Sequence, residues 1–199
     1  MTGFGNIVSR IPRPLLFAAA ALIQIVLIAM MVYDRVGILR QGREITLKST
    51  AVDPRDFLRG DYVTLNYDMS TMPAGALKDQ RSTGRGNIVY VELAPDADGN
   101  FRGVALHRDA DAVTPPNALI KARVVSGATC GSDNHSYCDT LRLQFGLERY
   151  FVPEGEGRVI EAARNQGKVS IVAAVTPSGR AAIKRLLVDG KPVYDEPLF

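Results

Sequence analysis

The 199-residue chain has no tryptophan, two cysteines and two histidines, and only 7% of its residues are aromatic. Each scarcity closes off a class of chemistry. A structural zinc site usually draws four ligands, and Cys130, His135 and Cys138 supply three soft ones at a spacing that matches no common zinc pattern. His107 and His135 stand at no spacing from a serine or cysteine that specifies a catalytic triad, so each reads as a surface or hairpin histidine. No basic patch interleaved with aromatics is present, which argues against nucleic-acid binding. No internal repeat or long linker points to a second soluble domain, and the chain calls for no cofactor.

Charge is present but unevenly placed. The chain has 24 basic and 21 acidic residues, a net of +3. Setting aside residues 1–43 removes five arginines (10, 13, 35, 40 and 43) and one aspartate, Asp34, which leaves 19 basic and 20 acidic residues, a net of −1. The basic character therefore belongs to the flanks of one apolar run, where arginines meet lipid headgroups. That run, LLFAAAALIQIVLIAMMV over residues 15–32, is interrupted only by Gln24 and is followed by Tyr33. Eighteen residues at a helical rise reach about 27 Å, enough for a thin bilayer, with a tyrosine for the interface. A cleaved signal peptide would need a small-residue cleavage site, whereas this run ends in Met30, Met31, Val32, Tyr33, Asp34 and Arg35. The expected organisation is a cytoplasmic tail at 1–14, an uncleaved transmembrane anchor at 15–33, and a domain at 44–199. Flanking arginines alone point the domain inward, but long domains translocate largely regardless of flanking charge. The membrane meant is the cytoplasmic (inner) one, whose lipid is the first partner.

Beyond the anchor the hydrophobic period is mostly two. Residues 44–52 alternate Ile45, Leu47, Ser49 and Ala51 against polar neighbours and predict a first strand. Residues 61–69 predict a second, and 70–80, with Pro73 and Gly75, a connection holding one helical turn. Residues 87–93 and 101–107 flank PDADGN, a hairpin signal. Residues 119–125 and 140–145 form a further hairpin around the cysteine loop. A short helix is expected over 154–165, closed by Gly167. Strands at 169–175 and 181–188 follow, and Asp189-Gly190 suits a type I′ turn. The expected fold is a single N-terminal transmembrane helix followed by a mainly β, antiparallel, barrel- or sandwich-like domain with one short helix.

The most informative stretch is VDPRDFLRGDYVTLNY, residues 52–67. Asp53-Pro54 favours a turn, Gly60 tolerates positive φ, and Val63, Leu65 and Tyr67 then fall on one face of a strand. The plain reading is a marked start to a strand; the sharper one is a polar rim of Arg55, Asp56, Arg59 and Asp61 where turn meets sheet. The stretch resembles the signature of the GDYXXLXY family, carried here by Gly60, Asp61, Tyr62, Leu65 and Tyr67. Two more segments are similar to that family: FGLERYFVPEGEGRVIE at 145–161, and 169–199 including IKRLLVDGKPVYDEPLF. The resemblance implies a small membrane-anchored protein, often encoded beside multi-pass membrane proteins, with no established activity. It also suggests that the turn at 55–61 faces the acidic turn with Glu154 and Glu156, and that the candidate binding face is Arg55, Asp56, Arg59, Asp61, Tyr62, Tyr150, Glu154 and Glu156.

Plain alternatives stand beside each sharper reading. Cys130 and Cys138 flank a hairpin tip and in an oxidising compartment read as a disulfide, with free thiols or a metal site as the other options. Asp53, Asp56 and Asp61 lack the spacing of a calcium loop, and Arg55 and Arg59 stand between them. Glu154 and Glu156 suit the start of a helix. The order of anchor, Gly-Asp turn and Lys-Arg strand is weakly similar to type I signal peptidases, but their pattern puts Val52 where the serine belongs. Ser49 and Thr50 are out of register, and Lys184 reads as a solvated strand residue. The cysteines and the family resemblance together favour a domain outside the cytoplasmic membrane. The function expected is a non-catalytic accessory or docking subunit for a multi-pass membrane protein. The alternative is an envelope enzyme or small-ligand-binding domain using the same polar face.

Overall fold

The computed structural model describes residues 12–49, 62–77, 83–110, 113–126, 140–151, 160, 163 and 166–195. The chain divides into a helical unit ending at Gly37 and a β unit beginning at Ile38. The helix, α1, runs Arg13–Gln41, 29 residues, and is long and apolar enough to cross a membrane. Pro14 falls in its first turn, where a missing N–H costs nothing. At 1.5 Å per residue it is about 43 Å long, some 13 Å more than a typical hydrocarbon core.

The helix thus outlasts the expected anchor by two turns, and the reason lies in its last turn. Ile38 and Leu39 are buried in a small cluster with Ala174 and Ala182 of the β unit. Both partners are alanines, which leaves room for the larger side chains. Gly42, directly after the helix, completes the fit. A Cβ there would lie 2.6 Å from the Ile38 carbonyl oxygen and 2.9 Å from Ala174 backbone. The β unit therefore starts at Ile38, six residues before the predicted domain boundary.

Eleven strands follow among the described residues: β1 Arg43–Lys48, β2 Tyr62–Thr64, β3 Thr71–Met72, β4 Ile88–Pro95, β5 Phe101–His107, β6 Ala118–Ser126, β7 Leu141–Gln144, β8 Arg149–Phe151, β9 Val169–Val175, β10 Ala181–Val188 and β11 Lys191–Asp195. They form a four-stranded sheet β1-β9-β10-β11, a five-stranded sheet β3-β7-β6-β4-β5 and a two-stranded ladder β2-β8, all antiparallel. One core joins them. Ile45 and Leu47 of β1, Ile171 and Ala173 of β9, and Leu186 of β10 share it with Val89, Val91, Ile120, Ala122 and Leu143 of the larger sheet. Links between the sheets include a bridge between Thr46 and Asn100 and a hydrogen bond from the Lys121 N–H to the Gly179 carbonyl.

Most of the predicted strands are where period two puts them. β9 and β10 match their predicted limits, and Asp189 (φ 50°) with Gly190 (φ 75°) forms the positive-φ pair a type I′ turn needs. The second strand is shorter than expected. Residues after Thr64 bend into a short 3₁₀ turn, Asp68–Ser70, where the Ser70 hydroxyl accepts from the Tyr67 N–H. The connection at 70–80 holds strand β3 and a second 3₁₀ turn, Ala74–Ala76. Of the helix expected over 154–165, Ile160 and Ala163 are described; both are helical, and Ile160 is buried in the core.

Candidate functional site

The three segments that resemble one family are far apart in sequence and meet in the fold. β2 and β8 pair with Tyr62 opposite Phe151, Val63 opposite Tyr150 and Thr64 opposite Arg149. Beyond the strands the pairing continues as a hydrogen bond from the Leu65 N–H to the Glu148 carbonyl, 2.8 Å. The signature's leucine and second tyrosine both point into the core, at 1% and 2% exposure, and so are not presented at the surface.

Tyr67 is held on two sides. Its hydroxyl donates to the Leu147 carbonyl oxygen at 2.6 Å, and its ring meets Phe145 edge-on, with centroids 6.4 Å apart. Burial, with a smaller contribution from the Glu148 charge, pushes the phenol well above its ordinary value of 10.0, so it stays neutral and serves as a donor. Glu148 shapes the receiving turn. Its carboxylate accepts the Phe145 N–H, while Gly146 takes a φ of 78° that a side chain would resist. The stretch FGLE is therefore a turn built to receive Tyr67.

Tyr150 carries the lock to the third segment. Its ring meets Tyr194 of β11 edge-on at 5.6 Å. Tyr150 itself is 3% exposed, so this member of the expected binding face is buried rather than presented at the surface. Arg55, Asp56, Arg59, Asp61, Glu154 and Glu156 lie outside the described residues, as do Cys130 and Cys138; Tyr62 is described in its backbone. What the ladder does fix is that the chain enters Tyr62 and leaves Phe151 at the same end.

The hydrolytic candidates are occupied elsewhere. Ser49 is 1% exposed, and its N–H donates to the Val169 carbonyl. Lys184 is not a freely solvated strand residue: its ammonium lies 2.6 Å from Glu44 Oε1, which Arg185 also reaches at 3.3 Å. His107 is likewise not a surface histidine. Its Nε2 lies 2.8 Å from Glu92 Oε2 while Asn117 donates to Glu92 Oε1 at 2.7 Å, and its side chain is 10% exposed. Among the described residues no group of three or more His, Cys, Asp or Glu is placed to hold a metal.

Sequence reasoning missed Tyr194, Glu148 and the Glu92–His107–Asn117 group. The first two had a signal, since both fall inside segments that resemble the family; the third had none, because its members come from β4, β5 and the start of β6. A family model described as GDYXXLXY protein matches residues 24–186, and the chain belongs to that family. No curated protein and no solved structure matches the chain.

Proposed function

We propose that this GDYXXLXY-family chain is a single-pass protein of the cytoplasmic membrane, amino terminus inside. Its β domain then works outside as a non-catalytic docking subunit for a multi-pass membrane protein. The observation that carries the reading is the division of labour within the motifs. Leu65, Tyr67, Glu148 and Tyr150 are consumed by the scaffold, and β2 begins at the end of the ladder where β8 finishes. The polar residues of the same motifs, Arg55, Asp56, Arg59, Asp61, Glu154 and Glu156, are then the part left for recognition. Anchoring supports the same reading, because a tethered domain meets a membrane partner at high effective concentration without a large interface.

Opposite charge in the two motif turns puts Arg59 with Glu154 or Glu156. Reversal at Arg59 should weaken docking, and a second reversal at Glu154 or Glu156 should restore it. In the oxidising space outside the membrane, Cys130 and Cys138 form a disulfide; closing a loop of about 9 residues contributes roughly 2–3 kcal/mol on a chain-entropy estimate. Thiol counting on denatured protein tests it: two reactive thiols before any reductant would refute the bridge.

The deciding experiment is co-purification in mild detergent at native expression level. A stoichiometric multi-pass protein that is lost with Arg59→Glu and regained with Arg59→Glu/Glu154→Arg or Arg59→Glu/Glu156→Arg supports docking. A partner-free protein refutes it.

A further inference from the structure

The outer face of the five-stranded sheet carries cations on two neighbouring strands. On β6, Lys121 and Arg123 point outward between buried Ala122 and Val124. On β7, Arg142 and Gln144 point outward between buried Leu141 and Leu143. Register brings them together. Arg123 sits between Ile88 of β4 and Gln144 of β7, Lys121 faces Tyr90, and Arg142 faces Thr71. Lys121 and Arg123 are about 7 Å apart along the strand, with the neighbouring strand about 5 Å away.

All three cations are exposed, and none is in a salt bridge among the described residues. The acid nearest along this face of β4 is Glu92, whose two oxygens are already taken by His107 and Asn117. Among the described residues, the β unit's exposed large apolar side chains, Val104 and Val193, lie on β5 and β11, so no large apolar side chain is exposed on β6 or β7. A domain of net charge −1 thus holds a wholly cationic pair of strands.

We infer that this face binds an acidic segment of another protein in extended conformation. In such a segment carboxylates at alternate positions recur about every 7 Å, which matches the Lys121–Arg123 spacing. The surface lies on a different sheet from the β2–β8 ladder and does not depend on the docking role given to that ladder.

The test uses the full chain in neutral detergent micelles and a fluorescent peptide of alternating glutamate and threonine, followed by anisotropy. Saturable binding that weakens with added salt is expected. Lys121→Glu/Arg123→Glu should reduce affinity by about tenfold or more and should bind the matching lysine–threonine peptide instead, which also shows that the variant is folded. Lys191→Glu, on exposed β11, should leave binding unchanged. Absence of saturable binding, or equal loss with Lys191→Glu, overturns the inference. So does binding to phosphatidylglycerol vesicles through Lys121 and Arg123 without binding to the peptide, which would assign the face to lipid.

Discussion

Replacing Tyr67 with phenylalanine removes one oxygen and leaves the ring. The lost hydroxyl donates at 2.6 Å to the carbonyl of Leu147, and both residues are buried, at 2% and 1% exposure. Water cannot readily replace the donor, so the carbonyl is left unpaired and the cost should be about 1–3 kcal/mol. For a chain of this size that corresponds to a fall of roughly 2–12 °C in Tm. The ring's edge-on contact with Phe145 survives, so Tyr67→Leu should cost a further 0.5–1.5 kcal/mol or so, plus whatever cavity remains. Urea titration of the full chain in detergent, followed by far-UV circular dichroism, measures both. The two variants also separate by pH. Because the folded phenol is raised above 10.0, its contribution is complete below that value and is lost as pH climbs towards the folded value. Wild type should therefore weaken in strong alkali relative to Tyr67→Phe. A phenylalanine variant within about 0.3 kcal/mol of wild type would refute the claim that this hydrogen bond fastens the motif segments.

Gly42→Val should destabilise the β unit by about 1–3 kcal/mol and loosen the last turn of α1, because the new side chain meets backbone at 2.6 and 2.9 Å; hydrogen exchange at residues 38–42 would report it. Gly146→Ala should cost about 1 kcal/mol through its φ of 78°, read as a lower urea midpoint. Glu44 is held below its ordinary carboxylate value, chiefly by the hydrogen bond from Lys184, with the Arg185 charge adding to it. Its contribution is therefore present above the ordinary glutamate range and lost as pH falls through the lowered folded value. Since Glu44 is 41% exposed, Glu44→Gln should cost under about 1 kcal/mol at neutral pH and nothing in acid or high salt.

The parts of this fold that sequence reveals are those fixed by near neighbours. Apolar runs bounded by Thr176-Pro177-Ser178-Gly179 and Asp189-Gly190 mark β9 and β10 to the residue, and Asp189-Gly190 announces its own turn because the conformation is a property of those two residues. The first strand's inward residues, Ile45 and Leu47, are also plain from alternation. What sequence conceals is set by distant partners. Nothing local says that Ile38 and Leu39, amid Asp34, Arg35 and Arg40, find two alanines more than a hundred residues later. Tyr150 looks like an exposed aromatic beside an arginine until Tyr194 covers it. The cationic face is half hidden for the same reason: alternation puts Lys121 and Arg123 side by side, but Arg142 joins their face only once β7 pairs with β6.

The burial of Leu65 and Tyr67 changes how the signature should be used. A motif residue can matter because it touches a partner or because it holds the part that does, and loss of function looks the same in both cases. Leu65 and Tyr67 fall in the second class by their burial and, under the proposed docking role, Arg59 falls in the first, so the two should separate by measurement. Tyr67→Phe lowers stability while the polar end of the ladder keeps its charges. At a temperature well below its midpoint it should therefore retain a co-purifying partner in near wild-type amount. Arg59→Glu should do the reverse, keeping the urea midpoint within about 0.5 kcal/mol of wild type and losing the partner. If Tyr67→Phe instead loses the partner while still fully folded, recognition reaches into the core of the ladder. The signature would then be read directly by the partner, and the division between scaffold and recognition residues would fail.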